Sequence, residues 1–93
     1  MKKLNSATFA PKEVASGGQT QLDVTWTSDE DGTLFLSYHA DWFTLAPNQI
    51  PLTASGAGHT QVSVTVTRHG GTGDCDVHFW LGSSDALDWV SVT

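Results

Sequence analysis

The residues able to do chemistry are few and scattered. Asp29-Glu30-Asp31-Gly32 has the carboxylate density of a calcium loop, but no glutamate follows at the position that closes such a motif. An acidic turn of this kind is fully explained as a solvated loop, and Asp74 and Asp76 are the only other acidic pair placed to assist an ion. Zinc sites are built from closely spaced His and Cys pairs, whereas His39, His59, His69 and His78 are dispersed and Cys75 is single. A single cysteine excludes an intrachain disulfide. Its place at the entry of an apolar alternation makes it a small buried hydrophobe; a nucleophile would need a base and an oxyanion donor that the sequence does not locate. Asp76 and His78 fall on one beat of a strand, a pairing that serves acid-base chemistry only beside a nucleophile or cleft. With no catalytic motif, cofactor signature or metal set, the chain reads as non-enzymatic.

Tryptophan is the outlier of the composition: four in 93 residues exceed what a core of this size needs. Trp26 shares a beat with Leu22 and Val24 and reads as the central core aromatic. Trp80 sits opposite the apolar set Cys75, Val77, Phe79 and Leu81 of its own segment. Val90 and Val92 form the inward pair of the last segment, which turns Trp89 and Ser91 outward. If the last two strands are neighbours, Trp80 and Trp89 form a cross-strand aromatic pair on an outer face, near Phe35, His39 and His78. Exposed aromatic strips mark binding or packing surfaces. Three readings stay open for these rings: a docking surface for a partner or ligand, cover by a crossing loop or neighbouring domain, and an inverted assignment of the faces.

The elements that position these residues follow from a two-residue rhythm that runs from Gln21 to Thr93. Leu22-Asp23-Val24-Thr25-Trp26-Thr27 and Val62-Ser63-Val64-Thr65-Val66-Thr67 alternate apolar and polar residues, the pattern of half-buried strands. Seven strands are predicted: Phe9 to Val14 as an edge strand around Pro11, Gln19 to Thr27, Thr33 to His39, Ile50 to Ala54, His59 to Arg68, Cys75 to Leu81 and Leu87 to Thr93. Residues 1–8 read as a flexible leader and 9–93 as a single domain. Asp31-Gly32 has the dipeptide that hairpins favour, and Asp41 to Asn48 reads as a crossing between sheets. The predicted interior comprises Leu22, Val24, Trp26, Leu34 or Phe35, Val62, Val64, Val66, Val77, Phe79 and Val90. The expected fold is an all-β, antiparallel, immunoglobulin-like β-sandwich.

Charge narrows the partners. Ten acidic residues face four basic ones, three of which (Lys2, Lys3, Lys12) lie in the first twelve positions, so Arg68 is the sole cation from Glu13 onward. Clustered cations are needed to hold phosphate backbones or anionic lipid, so neither nucleic acid nor a membrane surface is an expected partner. No apolar run long enough to span a bilayer occurs, and none follows Met1-Lys2-Lys3 as an export signal requires. The chain fits either a full-length cytoplasmic protein or a module excised from a longer exported or cell-surface one.

Gly17-Gly18 before an alternating strand, the Trp42-Phe43-Thr44-Leu45-Ala46-Pro47 segment, and Gly56 or Gly58 before Val62 to Thr67 together resemble the bacterial immunoglobulin-like and fibronectin type III-like accessory domains. They are also similar to the carbohydrate-associated modules of gut bacteria with a Trp-centred middle segment. The resemblance implies adhesion, spacing between domains or ligand binding, and no catalysis. The paired cysteines of antibody-type domains are missing, and Tyr38 stands near the position of their central tryptophan. Two functions follow as expectations: an interaction or spacer module that presents Trp80 and Trp89 to a protein partner or its own copy, or a carbohydrate-binding module that stacks sugars on them.

Overall fold

The computed structural model describes residues 1–93. The chain forms nine strands and no helix: β1 (Lys2–Ala10), β2 (Glu13–Val14), β3 (Gly18–Ser28), β4 (Gly32–Ser37), β5 (Phe43–Ala46), β6 (Gln49–Leu52), β7 (Ser55–Arg68), β8 (Cys75–Leu81) and β9 (Ser84–Val92). They build a four-stranded sheet, β1-β3-β7-β5, and a five-stranded sheet, β2-β9-β8-β4-β6. Every pairing is antiparallel except that of β2 with β9. The predicted β-sandwich is therefore the observed fold.

Alternation explains the packing. On β3 the positions Thr20, Leu22, Val24, Trp26 and Ser28 are buried, and on β8 Cys75, Val77, Phe79 and Leu81. Side chains of opposite beats face solvent. One cluster of 21 buried apolar residues fills the space between the sheets. Phe9 of one sheet meets Phe79 of the other with ring centroids 5.6 Å apart. Leu34, not Phe35, faces the core from β4, together with Leu36 on the same beat. Val62, predicted to be interior, is only partly buried and packs at the margin of the core.

Several elements differ from expectation, each for a physical reason. Residues 2–8 are no loose leader: they belong to β1, which pairs with β3 along its length and buries Leu4, Ala7 and Phe9. The register shifts between Leu4 and Ser6, so the inward beat skips a residue at Asn5 and the period-two signal is hidden. Pro11 splits the predicted strand Phe9 to Val14 in two, because its missing N–H ends the ladder and the chain passes to the opposite sheet, where β2 pairs with β9. The Asp31-Gly32 turn closes no hairpin. Both flanks of β3 are taken by β1 and β7, so the chain crosses through residues 29–31 to β4 in the other sheet. Phe43–Ala46 of the predicted crossing forms β5 in the four-stranded sheet, so the chain crosses twice, through residues 38–42 from β4 and through Pro47-Asn48 back to β6. Splitting one strand and adding another turns seven strands into nine.

Trp26 and Gly58 are direct partners across β3 and β7. The indole lies on the glycine so closely that an added Cβ would stand 2.2 Å from a ring carbon. Its Nε1–H donates to the Thr53 carbonyl at 2.8 Å. Gly58→Ala must displace a buried, hydrogen-bonded indole, and we expect a loss of roughly 1–3 kcal/mol in denaturant unfolding, the cost of an overpacked core; a variant as stable as wild type would show that the ring moves freely.

Candidate functional site

The outer face of the five-stranded sheet is assembled by register. On β8 and β4, Trp80 stands opposite Phe35 and His78 opposite Ser37; on β8 and β9, Trp80 stands opposite Asp85, His78 opposite Leu87 and Asp76 opposite Trp89. All of these side chains occupy the outward beat. Phe35 (46% exposed), Trp80 (37%), Leu87 (73%) and Trp89 (42%) are its large apolar members. Together with His78 they run as a diagonal from β4 across β8 to β9, with Asp85 and Asp76 at the two flanking corners.

The predicted pairing of Trp80 with Trp89 does not occur. The link Gly82-Ser83 sets Leu81 opposite Ser84, so the two tryptophans lie four residues out of step, roughly 13 Å along the strands. His78 and Leu87 fill the interval. His78 stacks on Trp80 with centroids 4.3 Å apart and planes 19° from parallel, and its Nε2 lies 2.6 Å from Asp85 Oδ2, which fixes the imidazole. One face of the Trp80 indole is therefore already covered. At the other end Lys12 lies 5.3 Å from the centroid of the Trp89 ring, within cation–π range, and is also paired with Asp88. Asp76, Leu87, Asp88 and Trp89 line a shallow depression of about 540 Å³.

His39 is not part of this face. It stacks against Trp42, centroids 4.2 Å apart, in the loop before β5, and Trp42 in turn lies on Gly71. Gly71 has φ +72°, a conformation that favours glycine, and an added Cβ would meet the Trp42 ring at 2.2 Å. Leu87 is the face residue that the sequence reading missed. Its signal was present, since it shares the beat of Trp89 and Asp85.

The remaining groups with chemical potential do not converge. Asp31 Oδ1 accepts from the Ala54 N–H at 2.9 Å, Glu30 pairs with Lys2 at 3.6 Å and Asp29 pairs with the Met1 amino group, so the three carboxylates of this loop have separate partners. His59 bonds Asp23 on the outer face of the four-stranded sheet, and His69 bonds Thr44 at the end of β5. Cys75 faces the core, and burial, with the nearby Asp76 charge in support and Arg68 opposing, pushes its thiol up to about 11. The thiol is neutral at physiological pH and is not an activated nucleophile.

No protein family matches the chain, and no curated protein resembles it significantly. Among solved structures it is similar to the cupredoxin domain of amoB from Nitrosocaldus yellowstonii, with a TM-score of 0.51, 10% identity, and alignment over 98% of this chain and 86% of that one. At that identity the likeness concerns the β-sandwich alone. A copper centre of the kind built from two His and a Cys does not fit these residues, because Cys75 points into the core and no three His, Cys, Asp or Glu side chains converge on a common point.

The Cys75 environment gives an alkaline signature. The unfolded thiol ionises near 9 whereas the folded one holds its proton to about 11, so the unfolded state gains relative stability as pH rises through this window. Wild type is expected to lose on the order of 2 kcal/mol between these pH values beyond any loss seen in Cys75→Ala. Parallel stability curves for the two proteins would show that the thiol titrates normally.

Proposed function

We propose that the chain is a non-catalytic interaction module of the immunoglobulin-like kind, which docks the outer face of its five-stranded sheet onto another polypeptide or a second copy of itself. The observation that carries this reading is the unbroken diagonal Phe35, Trp80, His78, Leu87 and Trp89 on a sheet face that is otherwise polar. Leu87, nearly three-quarters exposed in mid-strand, costs solvation until something covers it. A central aromatic anchor with neighbouring apolar contacts is the usual energetic centre of a protein interface. Asp85 is held by His78, and Asp88 by Lys12 and the Phe9 N–H, so Asp76, which lines the depression beside Trp89, is the carboxylate that favours a cationic side chain in the occupant.

A sugar-binding role is the weaker reading of the same face. Sugar stacking needs a free aromatic plane, and His78 already occupies one face of Trp80. The likeness to immunoglobulin-like and carbohydrate-associated accessory domains is compatible with either ligand.

Sedimentation equilibrium of wild type and Trp80→Thr, with a glycan array alongside, tests the proposal. Self-association is expected, weakened at least tenfold in the variant. The loss of contacts with Phe35 and His78 should cost the fold no more than about 1–2 kcal/mol. A wild type that stays monomeric and binds glycans through Trp80 would replace the protein-docking reading with its rival.

A further inference from the structure

The edges of the two sheets are not treated alike. The outer edge of β1 is closed by side chains of β9: Ser84 Oγ accepts from Leu4 N–H at 2.8 Å and Asp88 Oδ2 from Phe9 N–H at 2.7 Å. β2 is two residues long and follows Pro11, β5 is four residues long and stops at Pro47, and β6 carries Pro51. Short strands and prolines are the usual guards against unwanted pairing. β7 has no such guard. β5 pairs only with Thr65 to Arg68, so Gly56 to Val64, a run of roughly 30 Å, has no neighbour on that side. This run contains no proline, Lys, Arg, Asp or Glu.

The orientation of its backbone groups follows from bonds farther along β7. The Val66 carbonyl accepts from Gly17 N–H and the Arg68 N–H donates to Ser16 Oγ, on the β3 side, whereas the His69 N–H donates to the Trp42 carbonyl on the β5 side. Backbone direction alternates along a strand, so His59, Gln61 and Ser63 aim both N–H and C=O at the open edge. Beside that edge runs a groove of about 530 Å³ between the sheets. Trp26, Ile50 and Val62 contribute apolar surface, Pro51 and Thr60 line its sides, and none of its lining residues is a carboxylate, Lys or Arg.

We propose that the open edge of β7 binds an extended, uncharged segment of a partner polypeptide, which adds to the four-stranded sheet and inserts alternate apolar side chains into the groove. The open ladder selects a strand, because only extended backbone offers donors and acceptors at the repeat of His59, Gln61 and Ser63. The groove selects its sequence: inward positions meet Trp26, Ile50 and Val62. A second copy paired through its own β7 would bring Val62 and Val64 but also Gly58 and Thr60 on its inward beat, and so fills the groove less fully than a segment that is apolar at every inward position. The edge lies on the sheet opposite the aromatic face and is independent of that face's role.

The test is titration of ¹⁵N-labelled protein with an acetylated, amidated nonapeptide that alternates Val or Leu with Ser or Thr, against a control peptide with Ser or Thr throughout. Saturable binding should slow amide exchange at His59, Gln61 and Ser63. Gln61→Pro, which removes an N–H aimed at the open edge, should weaken binding at least tenfold while Val64 and Val66 stay protected. Thr60→Lys, which leaves the backbone intact and puts a charge in the groove, should do the same and serves if the proline variant does not fold. Unchanged exchange at these amides at millimolar peptide, equal binding of the control peptide, or protection that arises from protein concentration alone would each overturn the proposal.

Discussion

The architecture depends on one constraint: β3 is paired along both edges. With β1 on one flank and β7 on the other, the chain cannot turn back beside β3 after Ser28 and must cross to the opposite sheet. That crossing puts β4 next to β8 and so brings Phe35 beside Trp80. The same central ladder supplies the deepest part of the core, where Leu22, Val24, Val64 and Val66 are sealed from solvent. The contact of Trp26 with Gly58 adds a local lock, holding the start of β7 against β3 and tying both to the Thr53 carbonyl of the crossing chain.

What could be read from the sequence was whatever obeyed a strict period. β8 appears with the boundaries that its alternation dictates, and the outward beat of Trp80 and Trp89 is observed. Strand partners were less legible. A period of two says which face a residue takes and nothing about which strand lies alongside, so Asp31-Gly32 looked like a hairpin although β3 had no free edge to pair with. Register was equally hidden: whether Trp80 faces Trp89 depends on a two-residue link, not on either strand. At Asn5 one irregular residue concealed a whole strand. His39 was placed near the aromatic face because it continues the beat of Phe35, but β4 ends at Ser37 and the ring turns to Trp42 instead.

The two candidate surfaces differ in physical character. The aromatic diagonal offers side-chain area and little hydrogen bonding, with carboxylates only at its margins, so a partner would gain mainly from desolvating rings. The β7 edge offers the reverse, a short row of backbone donors and acceptors beside a modest apolar groove. Affinity at the first is set by shape and charge; at the second it is set by whether the partner can lie extended. The aromatic diagonal lies outside the core, whereas the groove beside β7 is lined in part by the core residues Trp26 and Ile50; no buried side-chain polar atom lacks a hydrogen-bond partner. The diagonal and the exposed positions of the β7 edge, such as Gln61, can therefore be altered with limited effect on the fold.

The passage of the chain at Pro11 from one sheet to the other has a mechanical meaning. β1 begins beside Ser28 at one pole of a body 39 Å long, while Thr93 bonds Val14 and Ser16 at the other. Tension applied between these poles would run along β1 and β9, nearly parallel to the long axis. It would load the β1–β3 and β2–β9 ladders in shear, so that their hydrogen bonds resist together and do not peel one after another. The short strap of residues 10–14, anchored in both sheets, would carry that load across the sandwich and keep its two layers from sliding apart.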